Sequence, residues 1–354
     1  MDKQFLNKIL NEAQRLNASD IHLSSNLHPY VRLQGDIVKM DTFSKFTAKD
    51  ILDMALYSMD KYAQEYFLKN SQVDYAYSNI ENQTRYRVNV FKTRKGISAS
   101  FRQLNNTSPE LDSADFPEIF TKIANLEKGL VLVCGPTGSG KSTTLATILE
   151  YINRNLKKHI ITLEDPIEYI FETKNCLIDQ REVGRSVESF ADGLRAALRE
   201  DPDIIMIGEM RDKETIKMAL TAAETGHLVF STLHTMSASK TIDRIIDSCD
   251  LNEKEVIRSM LSTSLQAIIL QKLFKRPENL GRIAGFEVAI GTNAIRNLIR
   301  ENKIHQIDSI IQTGSKFGMI TMKDYIEKLI NKNLVDGRDA YIKMSKLDDL
   351  EEKI

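Results

Sequence analysis

The chain has 354 residues, enough for two domains, and its 48 Lys and Arg nearly balance 49 Asp and Glu, which leaves a formal net charge of −1 at pH 7. Without a basic excess to neutralise phosphates, nucleic acid is disfavoured as the main partner. Apolar residues make up 42% of the chain. This ordinary globular composition predicts a compact, helix-rich α/β protein. No apolar run approaches the roughly 18 residues that span a bilayer, so we expect that the chain does not cross a membrane.

The cysteines and the beginning of the chain indicate a compartment. Cys134, Cys176 and Cys249 lie far apart in the sequence, so they form neither a disulfide framework nor a CxxC zinc site. The first residues place charges among the apolar positions, unlike the continuous apolar segment of a signal peptide. Both features predict the reducing cytosol.

The N-terminal third predicts an α+β domain. Apolar residues from Phe5 to Leu16 recur at helical spacing, and the alternation between Ile21 and Ile37 is typical of half-buried strands. Thr47, with Asp50 three residues later, is a capping box that begins a helix over about 48–58. Further strands are predicted at 73–77, 85–91 and 97–102.

The remainder of the chain changes rhythm. Residues 103–116 are polar, contain Pro109 and lack periodicity, which predicts a linker. Apolar runs separated by amphipathic helices then indicate a parallel, doubly wound sheet. These runs lie at 130–134, 159–163, 204–207 and 228–230. The predicted domains are therefore 1–102, a linker at 103–116, 117–345 (with 237–345 mostly helical apart from a strand at 283–290) and a charged tail at 346–354.

Residues 135–142 read GPTGSGKS and match the P-loop pattern G-x-x-x-x-G-K-[ST], between a predicted strand and a predicted helix. The glycines allow backbone N–H groups to turn toward phosphate oxygens, and the helix N-terminus adds positive potential. Lys141 then reaches the β- and γ-phosphates, and Ser142 offers a hydroxyl to Mg²⁺. The candidate nucleotide-binding residues are Gly135, Pro136, Thr137, Gly138, Ser139, Gly140, Lys141, Ser142 and Thr143.

A second apolar run, Ile204–Ile207, ends in Gly208 and Glu209 and resembles a Walker B strand. Many P-loop enzymes place a metal-holding Asp where this chain has Gly208. Glu209 is therefore interpreted as a residue that polarises water rather than as a direct metal ligand. A lone Glu after a strand also fits a solvated strand end, and the P-loop favours the functional interpretation.

Two further strand ends carry candidate site residues. The run that ends at Leu163 continues into Glu164, Asp165 and Glu168, and acidic groups crowded at one sheet edge favour a bound cation such as Mg²⁺, with Glu164 as its ligand. His234 follows the run at 228–230, where a neutral imidazole could hydrogen bond to the γ-phosphate. Taken alone, these residues also fit a solvated loop and a structural histidine.

The four motifs, in this order, resemble those of the secretion ATPase superfamily. Longer stretches are similar to the twitching motility, or type IV pilus retraction, ATPases (the PilT family) over about residues 5–345. Those stretches are SFADGLRAALREDPDIIMIGEMRD at 189–212, GHLVFSTLHT at 226–235, QREVG at 180–184 and AIRNLIRE at 294–301.

The resemblance implies a ring-shaped homohexamer. It implies a PAS-like α+β N-terminal domain followed by a RecA-like P-loop ATPase domain with a helical C-terminal portion, and ATP with Mg²⁺ bound at their junction. Arg87 and Arg102 match positions from which family members extend arginines toward the phosphates, with Arg85 a weaker candidate. It also implies an inner-membrane pilus platform protein as partner, and a cytoplasmic location peripheral to that membrane.

The leading hypothesis is an ATP-hydrolysing hexameric motor that powers pilus retraction, with Glu209, Glu164, Arg87, Arg102 and His234 as catalytic residues. An assembly or secretion ATPase of the same superfamily is an alternative. So is a nucleotide-switched scaffold without turnover, and a nucleic-acid translocase is disfavoured by the net charge of −1. Whether Glu164 or Glu209 dominates catalysis stays open.

AIRNLIRE predicts a short helix after Thr292, its expected N-cap, with Ile295, Leu298 and Ile299 as the apolar stripe. Arg296 and Arg300 stand at i and i+4, where like charges cost a helix a few tenths of a kcal/mol. One interpretation is an ordinary amphipathic helix packed on its own domain. The other, favoured by the resemblance, is that its polar face transmits motion to a partner or a neighbouring subunit.

Overall fold

A computed structural model describes residues 2–33, 35–104, 108–111, 116–277, 281–338, 340–342 and 344. The chain divides into two compact units, Met1–Thr107 with Asp165–Ile170, and Ser108–Glu164 with Phe171–Ile354. Residues 165–170, which the sequence assigned to the second domain, therefore group with the first unit. The predicted tail at 346–354 and parts of the predicted linker lie outside the described residues. Within the described part of the chain, no helix combines the length and apolarity needed to cross a bilayer.

The first unit is a six-stranded antiparallel sheet in the order β3-β2-β1-β6-β5-β4, packed on helices. Its second helix begins with the predicted capping box, in which Thr47 and Asp50 exchange hydrogen bonds. The elements are α1 (Asp2–Arg15), β1 (Asp20–Ser24), β2 (Tyr30–Leu33), β3 (Asp36–Lys39), α2 (Ala48–Ser58), α3 (Lys61–Asn70), β4 (Gln72–Asn79), β5 (Thr84–Thr93) and β6 (Gly96–Leu104).

The two faces of this sheet differ in chemistry, because successive side chains of a strand point to opposite faces. One face carries Ile21, Phe101 and Val88, which are cross-strand neighbours and fully buried in the core of the unit. The other face carries polar side chains in register, among them Arg102 opposite Arg87. Arg87 and Arg102, two of the three candidate arginines, therefore lie on the polar face.

The second unit contains a seven-stranded sheet in the order β13-β12-β7-β11-β10-β8-β9. Six strands run parallel, and the edge strand β13 pairs antiparallel with β12. The strands are β7 (Gly129–Cys134), β8 (His159–Glu164), β9 (Leu177–Glu182), β10 (Ile204–Ile207), β11 (Leu228–Leu233), β12 (Leu265–Lys275) and β13 (Arg282–Ile290). The apolar runs at 130–134, 159–163, 204–207 and 228–230 are all strands of this sheet, so the predicted doubly wound α/β fold is confirmed.

Two hydrophobic clusters built from sheet and helix residues form the core of this unit. The central strands β7, β10 and β11 are buried along their whole length, as expected for parallel strands covered on both faces. The helices are α4 (Ile119–Ala124), α5 (Lys141–Asn155), α6 (Phe190–Ala197), α7 (Lys213–Glu224), α8 (Ala238–Asp247), α9 (Lys254–Ser264), α10 (Asn293–Arg300), α11 (Ile307–Thr313) and α12 (Met322–Asn331), with 3₁₀ turns at Ile304–Gln306 and Ser315–Phe317.

The structure differs from the prediction after residue 237, where one strand was expected among helices and two are present. Strand β12 was missed because its apolar residues run almost continuously, and such a run resembles a buried helix as much as a buried strand. Strand β9 was also missed, because its residues LIDQRE are mostly polar and do not alternate between apolar and polar. Both strands matter for the site, since each contributes a glutamine to it.

Candidate nucleotide site

The P-loop begins where β7 ends, at the carboxyl edge of the parallel sheet. Gly135, Gly138 and Gly140 all have positive φ angles, at 143°, 76° and 89°, which L side chains rarely adopt. A Cβ atom on Gly135 would lie 2.4 Å from the carbonyl oxygen of Gln271, so this position has no room for a side chain. At Gly138 nothing lies within 4 Å of such an atom, and the loop is exposed there. The loop therefore packs on β12 at one end and faces open space at its tip.

Gln271 of β12 packs against the P-loop and the first turn of α5. Its Oε1 accepts a hydrogen bond of 2.7 Å from the hydroxyl of Thr144, in the first turn of α5. Its side chain is buried, and its Nε2 lies 2.9 Å from where a Cβ of Gly140 would be. Gln271 thus holds the junction between the P-loop and its helix.

Lys141, the first residue of α5, places its ammonium inside the loop. Nζ donates to the carbonyl oxygens of Gly135 and Pro136 at 2.8 and 3.2 Å, and lies 3.3 Å from Nδ1 of His234. The side chain is buried although it is charged. Ser142 is exposed at the start of the same helix, so its hydroxyl is accessible to a ligand at the helix N-terminus.

His234 connects Lys141 to Glu209. The residue follows β11, whose Leu233 pairs with Cys134 at the end of β7, and its Nε2 lies 3.1 Å from Oε1 of Glu209. Because an ammonium can only donate, Nδ1 of His234 accepts from Lys141 and the ring proton on Nε2 is donated to Glu209. The imidazole is thereby assigned one tautomer by its two neighbours.

Glu209 is also held by Arg211, whose Nε donates to Oε2 at 2.8 Å. Burial alone would raise the pKa of Glu209, but the hydrogen bond from Arg211, together with His234 and the charges of Arg211 and Lys141, outweighs burial and lowers that pKa. The carboxylate is therefore ionised at neutral pH. Asp212, which follows Arg211, has a different role, since it caps the N-terminus of α7.

Glu164 ends β8, next to Gly208 at the end of β10, so the two candidate carboxylates follow neighbouring strands. Its side chain is buried and Oε1 accepts from Thr162 Oγ1 at 2.7 Å and from Gln180 Nε2 at 3.0 Å. These donors are neutral, in contrast to the charged groups around Glu209.

Arg87 and Arg102 each pair with a carboxylate of the first unit. Arg87 donates to Asp74, with the shortest contact at 2.6 Å, and its Nη1 lies 3.9 Å from Glu168. Arg102 donates through Nε to Asp20 at 2.8 Å. Burial would raise the pKa of Asp20, but the hydrogen bonds from Arg102 and Ser19 outweigh it and lower the pKa.

Arg85, the weaker candidate, binds backbone rather than a carboxylate. Its two terminal nitrogens donate to the carbonyl oxygens of Glu168 and Ile167 at 2.6 and 2.8 Å. Arg85 is thus committed to the segment Asp165–Ile170.

The structure therefore brings together Lys141, His234 and Glu209, and sets Glu164 at the end of the neighbouring strand. Among the described residues, no group of three or more His, Cys, Asp and Glu could hold a metal ion by itself. Mg²⁺ bound with a nucleotide needs only one or two protein oxygens, because phosphates and water complete its shell. The exposed hydroxyl of Ser142 and the carboxylate of Glu164 are groups of the kinds that fit this chemistry.

Helix α10 begins after Thr292, whose Oγ1 accepts from Ile295 N as predicted for an N-cap. Ile295 and Ile299 are buried, which confirms the apolar stripe. The structure changes the interpretation of Arg296. Its Nε donates to Gly291 O at 2.6 Å, and its terminal nitrogens donate to the carbonyl oxygens of Thr263 and Leu265 at 2.6 and 3.0 Å. Arg296 is half-buried, and its guanidinium joins α10 to the end of α9 and the start of β12.

Sequence reasoning missed three residues that support the site, namely Gln271, Gln180 and Arg211. Gln180 and Gln271 lie on the two strands that the apolar pattern did not reveal, so no signal for their position was available. Arg211 follows Glu209 by two residues, and a basic residue so close to a candidate carboxylate was a usable signal.

The whole chain is similar to proteins of known family. A family model described as type II/IV secretion system protein matches residues 2–315. A twitching motility protein of Neisseria gonorrhoeae is 48% identical over 307 residues, which are 87% of this chain and 82% of that protein. The type IV pilus retraction ATPase PilT of Pseudomonas aeruginosa is 45% identical over 335 residues, 95% of this chain and 96% of the relative.

Solved structures agree with this. The crystal structure of the pilus retraction motor PilT with bound ADP superposes with a TM-score of 0.84 at 45% identity, over 94% of this chain and 95% of that one. The P-loop, the carboxylate after β10 and the likeness over nearly the whole chain all lead to one assignment. The chain is an ATPase that belongs to the type II/IV secretion system protein family, in its PilT-like branch.

Proposed function

We propose that this chain is the motor that powers type IV pilus retraction by hydrolysing ATP. The observation that carries the proposal is the contact chain from Lys141 through His234 to Glu209, at the carboxyl edge of the parallel sheet. This arrangement places a phosphate-binding cation and an ionised carboxylate on two sides of one imidazole. Names of the similar proteins support the pilus as the object of the work.

Each part of the site has a task in this proposal. The P-loop amides and Lys141 bind the phosphates, so Lys141 exchanges carbonyl contacts for phosphate oxygens when the nucleotide enters. Mg²⁺, held through Ser142 and Glu164, neutralises phosphate charge when it is bound. Glu209 orients and polarises the attacking water. His234 senses the γ-phosphate, and its Nδ1, which accepts from Lys141 before the nucleotide enters, must take up a proton to donate to a phosphate oxygen once the ammonium turns to the phosphates.

Arg87 and Arg102 complete the site from the N-terminal domain. Each would leave its carboxylate, Asp74 or Asp20, for phosphate oxygens, where a guanidinium stabilises charge that develops in the transition state. Replacing either arginine by Ala should lower turnover far more than ATP affinity. Equal losses in both quantities would instead indicate binding in the ground state.

The assembly that we propose is a homohexamer peripheral to the cytoplasmic face of the inner membrane, acting on a platform protein of the pilus. We retain the sequence's division into a PAS-like domain over 1–102 and a RecA-like domain over 117–345 as part of this proposal. Mixing Arg87→Ala subunits with Lys141→Ala subunits tests the ring. Recovered ATPase activity in the mixture indicates that the arginine acts on a neighbour's nucleotide, and no recovery indicates action within one chain.

The deciding experiment measures ATP hydrolysis and pilus retraction with the same variant. Lys141→Ala should lose nucleotide binding, because the ammonium that neutralises the phosphates is gone, while the melting temperature stays close to that of the wild type. Cells that carry only this variant should display pili that do not retract. Wild-type protein that hydrolyses ATP but does not restore retraction to a deletion strain would favour an assembly or secretion ATPase. Protein that binds ATP without phosphate release would favour a scaffold.

A further inference from the structure

Residues Asp165–Ile170 form a short excursion of the chain. The segment leaves the second unit after Glu164, groups with the first unit, and returns at Phe171. A candidate catalytic carboxylate therefore stands directly at one end of the segment. Because one peptide bond joins Glu164 to Asp165, a displacement of the segment also displaces the backbone of Glu164.

Gln180 of β9 holds both ends of this excursion. Its Nε2 donates to Oε1 of Glu164 at 3.0 Å, and its Oε1 accepts from the backbone N–H of Phe171 at 2.9 Å. If the Gln180 amide were flipped, its oxygen would face the Glu164 carboxylate and its NH₂ would face the N–H of Phe171. Two acceptors and two donors would then face each other, so the two contacts fix the orientation of the amide. The side chain is thus a link between the return point of the segment and the Glu164 carboxylate.

Arg85 holds the middle of the same segment from strand β5. Its two hydrogen bonds to the carbonyl oxygens of Ile167 and Glu168 fix two successive peptide groups. Hydrogen bonds from a charged donor are roughly twice as strong as neutral ones. Arg85 therefore binds the segment to β5, while Gln180 binds the two residues that flank it, Glu164 and Phe171.

We propose that Gln180 is a positioning residue for Glu164, and that Asp165–Ile170 is the strap through which the N-terminal unit sets the orientation of this carboxylate. The inference rests on the proposed role of Glu164 at the nucleotide's Mg²⁺. Movement of β5 is passed by Arg85 to the strap, and by Phe171 and Gln180 to the carboxylate.

Thr162 provides a matched comparison. Its hydroxyl donates to the same Glu164 oxygen at 2.7 Å. Thr162 lies on β8, however, and this hydrogen bond involves neither Gln180 nor the strap. Thr162→Val therefore removes one donor from Glu164 and leaves the link from Gln180 to Phe171 intact. Gln180→Leu removes both contacts, and Gln180→Glu retains an acceptor for Phe171 N–H while replacing the donor with a second anion.

The test measures steady-state ATP hydrolysis, nucleotide affinity and Mg²⁺ dependence of the full-length protein. Gln180→Leu should lower kcat about 10–100-fold and raise the Mg²⁺ concentration for half-maximal activity, as loss of a hydrogen bond that orients a metal-binding carboxylate does. ATP affinity should change little. In a Glu164→Gln background the same substitution should change the residual turnover less than about twofold, because its target is already removed.

Equal losses in both backgrounds would overturn the positioning role and leave Gln180 as a structural residue. If Gln180→Leu lowers the yield of folded protein, Gln180→Glu serves instead, with the same loss of kcat expected. A wild-type protein that does not hydrolyse ATP would refute the proposed function itself, and this outcome is seen before any variant is compared.

The strap is tested by pairing substitutions. Arg85→Ala with Gln180→Leu should be non-additive in kcat, because both interrupt one chain of contacts to Glu164. Arg85→Ala with Thr144→Val should be additive, because Thr144 donates to Gln271 under the P-loop and does not act on Glu164. Additivity in both pairs would overturn the strap and leave the positioning role of Gln180 standing on its own test.

Discussion

The carboxyl edge of the parallel sheet and helix α10 both carry charged side chains that the sequence marks as candidates for function, and they differ in what those side chains contact. At the sheet edge, Lys141 contacts His234, His234 contacts Glu209 and Glu209 contacts Arg211, while the Lys141 ammonium also donates to two carbonyl oxygens of the P-loop. At α10, Arg296 donates to backbone carbonyl oxygens of its neighbours. The Lys141 ammonium lies inside a loop that is open at its tip, so it can exchange its carbonyl oxygens for phosphate oxygens. The guanidinium of Arg296 instead binds carbonyl groups from three places in the chain and so stabilises a junction.

The two regions should differ in whether a substitution changes turnover or the free energy of unfolding. Removing a group at the sheet edge should change turnover and leave the free energy of unfolding almost unaltered. Removing Arg296 should do the opposite. The following substitutions test this division, beginning with the largest expected effect.

Glu209→Gln should lower kcat by about 10²–10⁴-fold, the contribution of a positioned general base. ATP should still bind, because the amide fills the same space and the P-loop is untouched. Phosphate release and equilibrium binding of a fluorescent ATP analogue measure the two effects. Near-normal phosphate release would exclude Glu209 as the residue that polarises water.

Arg296→Ala should lower the free energy of unfolding by about 1–3 kcal/mol, since three carbonyl groups, two of them in partly buried hydrogen bonds, lose a charged donor. For a unit of this size this corresponds to roughly 2–4 °C in melting temperature per kcal/mol. Arg300→Ala is the matched control, because Arg300 is exposed and donates to Asn297 Oδ1. It should change stability by less than about 0.5 kcal/mol. Equal melting temperatures for both variants would contradict the structural role of Arg296.

Arg211→Ala should shift the pH dependence of turnover. Arg211 lowers the pKa of Glu209, so its removal raises that pKa toward the ordinary range. A carboxylate with a raised pKa becomes protonated at higher pH. The acidic limb of kcat/KM should therefore move to higher pH, while the limb of Arg195→Ala, an exposed arginine paired with Asp192, should not move. An unchanged acidic limb for Arg211→Ala would mean that the pKa of Glu209 does not control it.

Asn297→Ala should have the smallest effect on the isolated protein. The residue is exposed on α10 and makes no backbone junction like that of Arg296. ATP hydrolysis and melting temperature should match the wild type, while retraction in cells is lost if the polar face of α10 transmits motion. Normal retraction by this variant would leave α10 as a supporting helix only.

Much of the fold could be predicted because local signals agreed with one another. Strand β10 occupies the predicted residues 204–207, the capping box at Thr47 begins α2, and Thr292 begins α10. The P-loop was predictable because its glycines and its lysine lie within eight successive residues. Strands β9 and β12 were not, since a polar strand and a continuous apolar run both lack a period that distinguishes strand from helix.

The sequence by itself determined the chemistry of this protein, namely a phosphate-binding loop, a carboxylate after a buried strand and a histidine after the next one. Those motifs are local, because each depends on residues that are close together in the sequence. Tertiary structure decided the partners: Gln180 with Glu164, Gln271 with Thr144, and Arg296 with the end of α9. These contacts join residues 16 to 127 positions apart in the chain, and no periodicity or motif encodes a distance that arises when strands assemble into one sheet.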